Sequence, residues 1–301
     1  MKYLAVAALF AAAAVPAFAA DGEIDNVKCS MCDGWNKPQK PFRIFGNAWY
    51  VGTTELSAVL LTGPKGHILL DGALPQSAPL IAASIKEAGY DIEDVKLIVN
   101  SHPHYDHAGG IPALQRMSGA RVAASPASAK VLRDGEVGPD DPQFDPKGNT
   151  RIDPLKKVAI VRDRETLYIG PISVTAHMTP GHTPGSTTWS FRACEADGHC
   201  KTIVYADSLN PVSTNGFHYT GDRNRPDIST SFRDSIRKVA SLKCDIVISV
   251  HPGFTDTMGK LASRTDAENT FVDVEGCRDY AADARKRLEK RIATELAEKG
   301  K

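Results

Sequence analysis

Short apolar and polar segments alternate along the early part of the chain and are separated by Gly, Thr or Pro. Residues 42–71 carry four segments of this kind, which predict a β-meander. Residues 78–88 space their apolar positions as a helix does, and this helix is expected to end at Gly89. Residues 95–100 form an apolar run that predicts a strand, and a short helix is expected to start near Ile111.

A second set of elements follows in a similar order. Apolar residues at helical spacing predict a helix over residues 231–242, which leads into a buried strand over residues 246–250. Residues 280–298 carry a narrow apolar stripe, which is typical of an amphipathic helix. The strands predicted before these elements cover residues 158–161, 166–169, 172–176, 187–191 and 203–205.

The order of these elements favours an α/β fold in which two sheets pack together and helices cover both outer faces. Residues 134–150 are dense in Asp, Gly and Pro, which predicts a long ordered loop inside one domain rather than a linker. We therefore expect residues 20–301 to form a single domain.

The first residues have the composition of an export signal. Lys2 precedes an apolar run over residues 3–15, and Pro16 and the small-residue site Ala17-Phe18-Ala19 follow it. A membrane-spanning helix is the alternative, but such a helix needs about 20 apolar residues, more than this run offers. We therefore expect residues 1–19 to be a signal peptide and the mature protein to reach the periplasm.

The charge balance argues against two kinds of partner. The chain has 36 basic and 36 acidic residues, so it lacks the strong positive charge that binding to a phosphate backbone requires. No other apolar stretch matches the first one, which indicates that the mature protein has no membrane partner.

Six cysteines in an exported chain are expected to be oxidised. Cys194 and Cys200 flank a polar turn and are expected to close a hairpin, and Cys244 and Cys277 are candidates for a long-range disulfide. The pair at residues 29 and 32 leaves three possibilities: a redox motif, a small disulfide ring, or two thiols that pair elsewhere.

Residues 102–107 read His-Pro-His-Tyr-Asp-His and concentrate metal ligands in six positions. In an extended segment, residues two apart face the same side, so His102 and His104 can bind one ion. Asp106 and His107 then point to a neighbouring position. Imidazole and carboxylate together suit zinc, and three imidazoles this close would repel one another if protonated. The motif therefore predicts two zinc ions.

Two distant histidines are candidates to complete these sites. His182 lies in the turn Thr-Pro-Gly-His-Thr-Pro-Gly, and His251 lies in Val-His-Pro-Gly; each follows a predicted strand. Asp71, also at a strand end, is a candidate to hold a ligand histidine by its second ring nitrogen, or else a simple turn residue.

Zinc at these sites would lower the pKa of a shared water toward about 7 and polarise a carbonyl oxygen. Asp106, as a ligand and neighbour of that water, is expected to orient it. A Ser-His-Asp nucleophile fits less well, because the clustered histidines leave no separate acid to orient a base for serine. A zinc-buffering protein is a third, non-enzymatic hypothesis.

Together, the His-x-His-x-Asp-His motif, the turn around His182 and the late His-Pro resemble the metallo-β-lactamase superfamily, and more closely its subclass B3. The resemblance runs from about Trp35 to the end of the chain. It is carried further by four segments of this sequence, at residues 46–53, 140–144, 205–209 and 244–251.

The resemblance implies an αββα sandwich of two mixed sheets and two zinc ions. One ion would be bound by His102, His104 and His182, and the other by Asp106, His107 and His251. It further implies hydrolysis of the β-lactam amide of penicillins, cephalosporins and carbapenems by a bridging hydroxide, with the second zinc stabilising the departing nitrogen. Substrate contacts are then expected from Ser208, Asn210 and Gln143.

Two points stay open within the resemblance. Some relatives bridge an early cysteine to a loop that here reads Thr54-Glu55-Leu56, so Cys29 and Cys32 must pair with each other or remain free. A lactonase or a glyoxalase II-like thioesterase of the same superfamily is the alternative function. Such relatives use an extra bridging aspartate, and Asp207 is close to that place.

Overall fold

The computed structural model describes residues 26–147, 151–214 and 216–299. The expected signal peptide at residues 1–19 lies outside the described residues. Within those ranges, no helix is both long enough and apolar enough to cross a membrane.

In the part of the chain that the structure describes, the first half forms a seven-stranded sheet whose strands lie in chain order. The strands are β1 (Phe42–Phe45), β2 (Ala48–Tyr50), β3 (Val59–Leu61), β4 (His67–Leu70), β5 (Val95–Val99), β6 (Arg121–Ala124) and β7 (Ala159–Ile160). From β1 to β4, each strand pairs antiparallel with the next. From β4 to β7, each strand pairs parallel with the next.

Among the described residues, the second half forms a five-stranded sheet. Its strands are β8 (Thr166–Ile169), β9 (Ile172–Met178), β10 (Thr187–Cys194), β11 (Cys200–Ala206) and β12 (Ile246–Ser249). They are antiparallel from β8 to β11, and β12 adds to β11 in parallel. Both sheets are therefore mixed.

The helices of the described residues flank these sheets. They are α1 (Cys32–Trp35), α2 (Ala78–Glu87), α3 (Tyr105–Ala108), α4 (Ile111–Ser118), α5 (Pro126–Asp134), α6 (Ser229–Ala240), α7 (Thr257–Ser263) and α8 (Gly276–Lys299). Apolar residues of α2, α4 and α5 pack on the first sheet, and those of α6 and α8 pack on the second.

A third apolar cluster lies between the two sheets. Leu61, Ile68 and Val99 of the first sheet meet Val174 and Trp189 of the second in it, and all five are fully buried. Alternate residues of a strand point to opposite faces, so each sheet buries one face in this cluster and the other under helices. The predicted αββα sandwich is confirmed.

Element boundaries differ from the predictions in a few places. The last helix begins at Gly276 instead of residue 280, and the strand expected over residues 158–161 is reduced to β7. β6, α5 and α7 were not predicted. β6 reads Arg-Val-Ala-Ala, in which Ala gives little strand preference, so its pairing with β5 and β7 determines its conformation.

All six cysteines form disulfides. Cys194–Cys200 closes the β10–β11 hairpin, and Cys244–Cys277 ties the chain two residues before β12 to the first turn of α8, as predicted. Cys29 and Cys32 pair with each other in a small ring, which decides among the possibilities that the sequence left open.

Candidate metal centre

The His-rich motif lies in the loop that leaves the carboxyl end of β5. Hydrogen bonds from the second sheet hold this loop: Trp189 Nε1 donates to the Asn100 carbonyl at 3.0 Å, and Thr187 N donates to the Ser101 carbonyl at 2.8 Å. α3 begins directly after His104, so Asp106 and His107 follow within one helical turn. The loop therefore presents its ligands at the edge where the two sheets meet.

The structure brings His102, His104 and His182 into one buried group. One ligand atom from each lies within 4.8 Å of the others. His182 comes from the turn after β9, and its ring centroid lies 4.7 Å from that of His102 and 5.0 Å from that of His104. The sequence had grouped these three residues only through the family resemblance.

Each of these rings uses its outer nitrogen for a hydrogen bond. His102 Nδ1 donates to Asp207 Oδ1 at 2.6 Å, and His104 Nε2 donates to Asp141 Oδ1 at 3.0 Å. His182 Nδ1 donates to the Asn210 carbonyl at 2.8 Å. Neutral imidazole carries one N–H, so the other nitrogen of each ring keeps its lone pair for the shared centre.

Asp106, His107 and His251 form a second group beside the first. Asp106 Oδ2 lies 3.2 Å from His107 Nε2 and 3.4 Å from His251 Nε2, and the two Nε2 atoms are 3.1 Å apart. His102 also lies within reach of Asp106 and His107, so the two groups are adjacent. Ser57 positions the strand end before His251 by donating from its backbone N to the Val250 carbonyl at 2.9 Å.

These residues fit bound zinc. His102 Nε2 is buried and has no hydrogen-bond partner. His102 belongs to the first group, in which the ligand atoms lie close to one another. A buried acceptor without a partner is costly, and a cation beside it removes that cost. Imidazole nitrogens and one carboxylate, with no thiolate, are the ligands of catalytic zinc sites.

The pKa directions of several ligands also suit a metal, but that of His104 differs: burial lowers its pKa, whereas the charge and hydrogen bond of Asp141 raise it above the usual value. Burial lowers the pKa of His102 and His182 well below the usual value, and positive charge on neighbouring histidines lowers it further. Burial would raise the pKa of Asp106, but the charges and hydrogen bonds of His107 and His251 hold it well below its usual range. Neutral imidazoles and an ionised carboxylate are the forms that bind metal.

Asp71 is fully buried but does not contact a ligand histidine. Its carboxylate accepts hydrogen bonds from Ser101 N at 2.7 Å, Ser101 Oγ at 2.6 Å and Tyr205 Oη at 2.9 Å, and burial raises its pKa to about 7. Asp207, and not Asp71, makes the hydrogen bond to the second ring nitrogen of a ligand histidine. A strand end alone did not show which aspartate faces the imidazole, because Asp207 approaches from the other sheet.

A cavity of about 630 Å³ opens above the two groups. Each of the three residues expected to contact substrate lies in its wall: Gln143, Ser208 and Asn210. Trp35 forms another part of the wall, and its ring centroid lies 5.6 Å from that of His251. Within the described residues, no Lys or Arg lines this cavity.

Sequence reasoning missed three contributions to the site. Asp141 holds His104, the backbone carbonyl of Asn210 holds His182, and Trp35 packs beside His251. Asp141 stands two residues before Gln143 in a segment that the resemblance singled out, but no spacing rule links it to His104. A backbone carbonyl carries no sequence signal at all.

Comparisons with known proteins agree with this geometry. A family model described as the metallo-beta-lactamase superfamily matches residues 52–196. The solved structure of Rm3 metallo-beta-lactamase is 46% identical, with a TM-score of 0.85, and covers 90% of this chain and 100% of its own. MEM-A1, a subclass B3 metallo-beta-lactamase from a soil metagenome library, is also 46% identical, with a TM-score of 0.84, and covers 88% and 99%.

A more distant likeness connects the chain to another hydrolase. The hydroxyacylglutathione hydrolase of Methylobacterium nodulans is 30% identical over 133 residues, which is 44% of this chain. The match spans 42% of that relative's own length. Because Rm3 and MEM-A1 instead match over almost their whole lengths, the chain belongs to the metallo-β-lactamase superfamily and, within it, to the subclass B3 enzymes, which are hydrolases.

Proposed function

We propose that this protein is a two-zinc β-lactamase that hydrolyses the amide bond of penicillins, cephalosporins and carbapenems. The observation that carries the proposal is the pair of adjacent ligand groups at the base of an open cavity. His102, His104 and His182 would hold one ion, and Asp106, His107 and His251 the other. When bound, zinc lowers the pKa of a water ligand and polarises the amide carbonyl.

The chain's own residues supply position and orientation. Asp207, Asp141 and the Asn210 carbonyl each hold one imidazole in the tautomer that binds metal. Asp106 has its carboxylate between two imidazoles and is the group placed to orient the attacking water. Trp35 forms one side of the cavity wall, beside His251.

Substrate contacts are assigned to neutral polar groups of the cavity wall. A β-lactam substrate carries a carboxylate, and among the described residues of the wall no Lys or Arg is present to pair with it. Ser208 and Asn210 therefore take that carboxylate, with Gln143 on the opposite loop. Hydrogen bonds from neutral donors fix orientation with less affinity than an ion pair would provide.

The chemistry and the disulfides together support a protective role outside the cytosol. Three disulfides among the described cysteines indicate an oxidising compartment. We propose export to the periplasm by residues 1–19 and action there as a monomer that confers β-lactam resistance. The apolar residues Tyr280, Ala284, Leu288 and Ile292 of α8 are buried within the chain, which supports the monomer.

A lactonase or thioesterase is the alternative, and the hydroxyacylglutathione hydrolase relatives favour testing it. In such an enzyme Asp207 would be a bridging ligand. Its Oδ1 atom instead bonds Nδ1 of His102, on the opposite side of the ring from the unpartnered Nε2. The Oδ1 contact supports the β-lactamase, whereas the buried Oδ2 atom, which has no hydrogen-bond partner, is the atom that a bridging role would use.

The decisive experiment offers the purified mature protein a chromogenic cephalosporin and a carbapenem. An acyl-homoserine lactone and a glutathione thioester are assayed in parallel, each with and without a zinc chelator. We expect the lactam rings to open, the chelator to stop the reaction and added zinc to restore it. Opening of the lactone or thioester with intact lactams would overturn the proposal in favour of the alternative.

A further inference from the structure

The side-chain amide of Gln143 lies directly on the first metal group. Its Nε2 atom is 3.2 Å from His104 Nδ1 and 3.4 Å from His182 Nε2. In the neutral form of each ring both of these nitrogens carry lone pairs, because the other nitrogen donates to Asp141 or to the Asn210 carbonyl. The amide therefore contacts two of the three ring nitrogens that face the shared centre.

Gln143 is held in this position by the same carboxylate that orients His104. Asp141 accepts from His104 Nε2 and, through Oδ1, from the Gln143 backbone N at 2.8 Å. On the other side, Thr214 N donates to the Pro142 carbonyl at 2.9 Å. Asp141, two residues before Gln143, therefore binds both Gln143 and His104 and fixes the distance between them.

The two distances match those between ligands of one zinc ion. Four ligands at the usual zinc–nitrogen distance of about 2.0–2.1 Å lie roughly 3.3 Å apart in a tetrahedron. The amide group is thus located where a fourth ligand would stand beside His104 and His182. Catalytic zinc sites keep that fourth position for water or substrate.

An amide group can serve this place in two ways. Its nitrogen has two hydrogens, which suit the lone pairs of two imidazoles. Once those lone pairs bind a cation, the nitrogen has no acceptor there. A turn of the amide about its last bond presents the oxygen, a neutral donor that binds zinc more weakly than imidazole or carboxylate and is therefore readily displaced.

We propose that Gln143 is an internal, displaceable ligand of the first zinc ion. Its amide already lies against His104 and His182, and its amide oxygen binds the ion until water or substrate takes its place. This role differs from the substrate contact suggested above. It rests on the proposed function only as far as zinc binding.

The experiment measures the metal and not the hydrolysis. Zinc dissociation constants by chelator competition and the visible spectrum of the cobalt(II) form are recorded for the wild-type mature protein and for Gln143→Ala, Gln143→Leu and Gln143→Glu. Glu55→Gln is the control, because Glu55 lines the same cavity. This variant replaces a carboxylate by an amide, which is the reverse of the change in Gln143→Glu.

We expect Gln143→Ala and Gln143→Leu to weaken binding of the first zinc roughly tenfold and to change the cobalt bands, because one oxygen ligand is lost. Gln143→Glu should strengthen binding by a similar factor, because a charged oxygen stays within reach. Glu55→Gln should leave both readouts within twofold of the wild type. If Gln143→Ala does not fold, the leucine variant, which fills the volume, serves in its place.

Two outcomes separate this proposal from the proposed function. If the wild-type protein binds metal and no Gln143 variant changes the dissociation constant or the cobalt spectrum, the ligand role alone is overturned. A wild-type protein that binds neither zinc nor cobalt would overturn the proposed function, and the role of Gln143 with it.

Discussion

Tautomers decide which atoms of the histidine cluster are available for chemistry. In the first group a carboxylate, a second carboxylate and a backbone carbonyl each take the N–H of one ring. All three acceptors lie on the outer side of the group, so the remaining lone pairs converge. At this scale the function depends as much on Asp207 and Asp141 as on the histidines.

The Asp207 carboxylate is expected to set the zinc affinity of the first group through His102. Asp207→Asn removes the charge that holds the Nδ1–H tautomer, so the zinc dissociation constant should rise about 10- to 100-fold while two ions still bind. Chelator competition and metal analysis check this. Asp145→Asn, in the cavity wall but outside both ligand groups, is the control.

Two outcomes would contradict this role of Asp207. An unchanged dissociation constant would mean that Asp207 does not act on the metal through His102. Loss of one full equivalent of zinc would mean that Asp207 is itself a ligand, as in the alternative hydrolases.

Loss of Asp106 should cost far more activity than loss of Asn210. Asp106→Ala removes the carboxylate between His107 and His251, and kcat/KM for a cephalosporin should fall about 100-fold or more. Asn210→Ala keeps the backbone carbonyl that holds His182, so it should raise KM several-fold with little change in kcat. Comparable losses in steady-state assays of the two variants would break these assignments.

At the scale of elements, the turns after strands determine where the ligands point. Gly181 precedes His182 and has φ +154°, at the limit of the region that favours glycine. A Cβ atom there would lie 2.3 Å from the Phe232 ring, which is fully buried on α6. Gly181 therefore allows α6, which packs on the second sheet, to approach the backbone directly beside His182.

Gly181→Ala should lower the free energy of unfolding by about 1–3 kcal/mol, because Phe232 must shift to admit the methyl group. The shift also moves His182, so the zinc affinity should fall as well. Gly253→Ala is a matched control: this glycine lies two residues after the ligand candidate His251, and its Cβ would meet nothing within 4 Å. Denaturant unfolding that shows equal stability for both variants would contradict the packing argument.

The element pattern itself was largely readable from the sequence. The meander, α2, β5 and α6 follow from apolar spacing, because one face of each packs on a core. β6 was not predicted, since its two alanines give little strand preference and the neighbouring strands decide its conformation. α5 was missed although Ser125, Pro126 and Gly135 give the start and stop signals of a helix. The site followed a similar division: the His cluster was visible, and its supporting acceptors were not.

At the scale of the whole molecule, the metal centre joins the two halves of the sandwich. His102, His104, Asp106 and His107 follow a strand of the first sheet, whereas His182 and His251 follow strands of the second. Each ligand group therefore draws on both sheets. A metal bound to the folded state alone stabilises that state by mass action.

Removal of zinc should consequently lower the melting temperature of the mature protein. Free zinc at about 100 times its dissociation constant contributes about 2.7 kcal/mol per site, which corresponds to a shift of roughly 5–10 °C for a domain of this size. Calorimetry with and without chelator measures the shift. Zinc added back should restore the original value, and magnesium should not. Equal melting temperatures would mean that the sheets are not joined through metal.

The sequence by itself determined the ligand types and most of the elements, because residue chemistry and apolar spacing are local properties of the chain. It also supported the fold through the family resemblance. Only the tertiary structure decided which aspartate holds His102, that Cys29 pairs with Cys32, and that Gln143 reaches the first ligand group. These contacts join segments from different loops and sheets, and their partners are set by the packing of the sandwich, which no local pattern encodes.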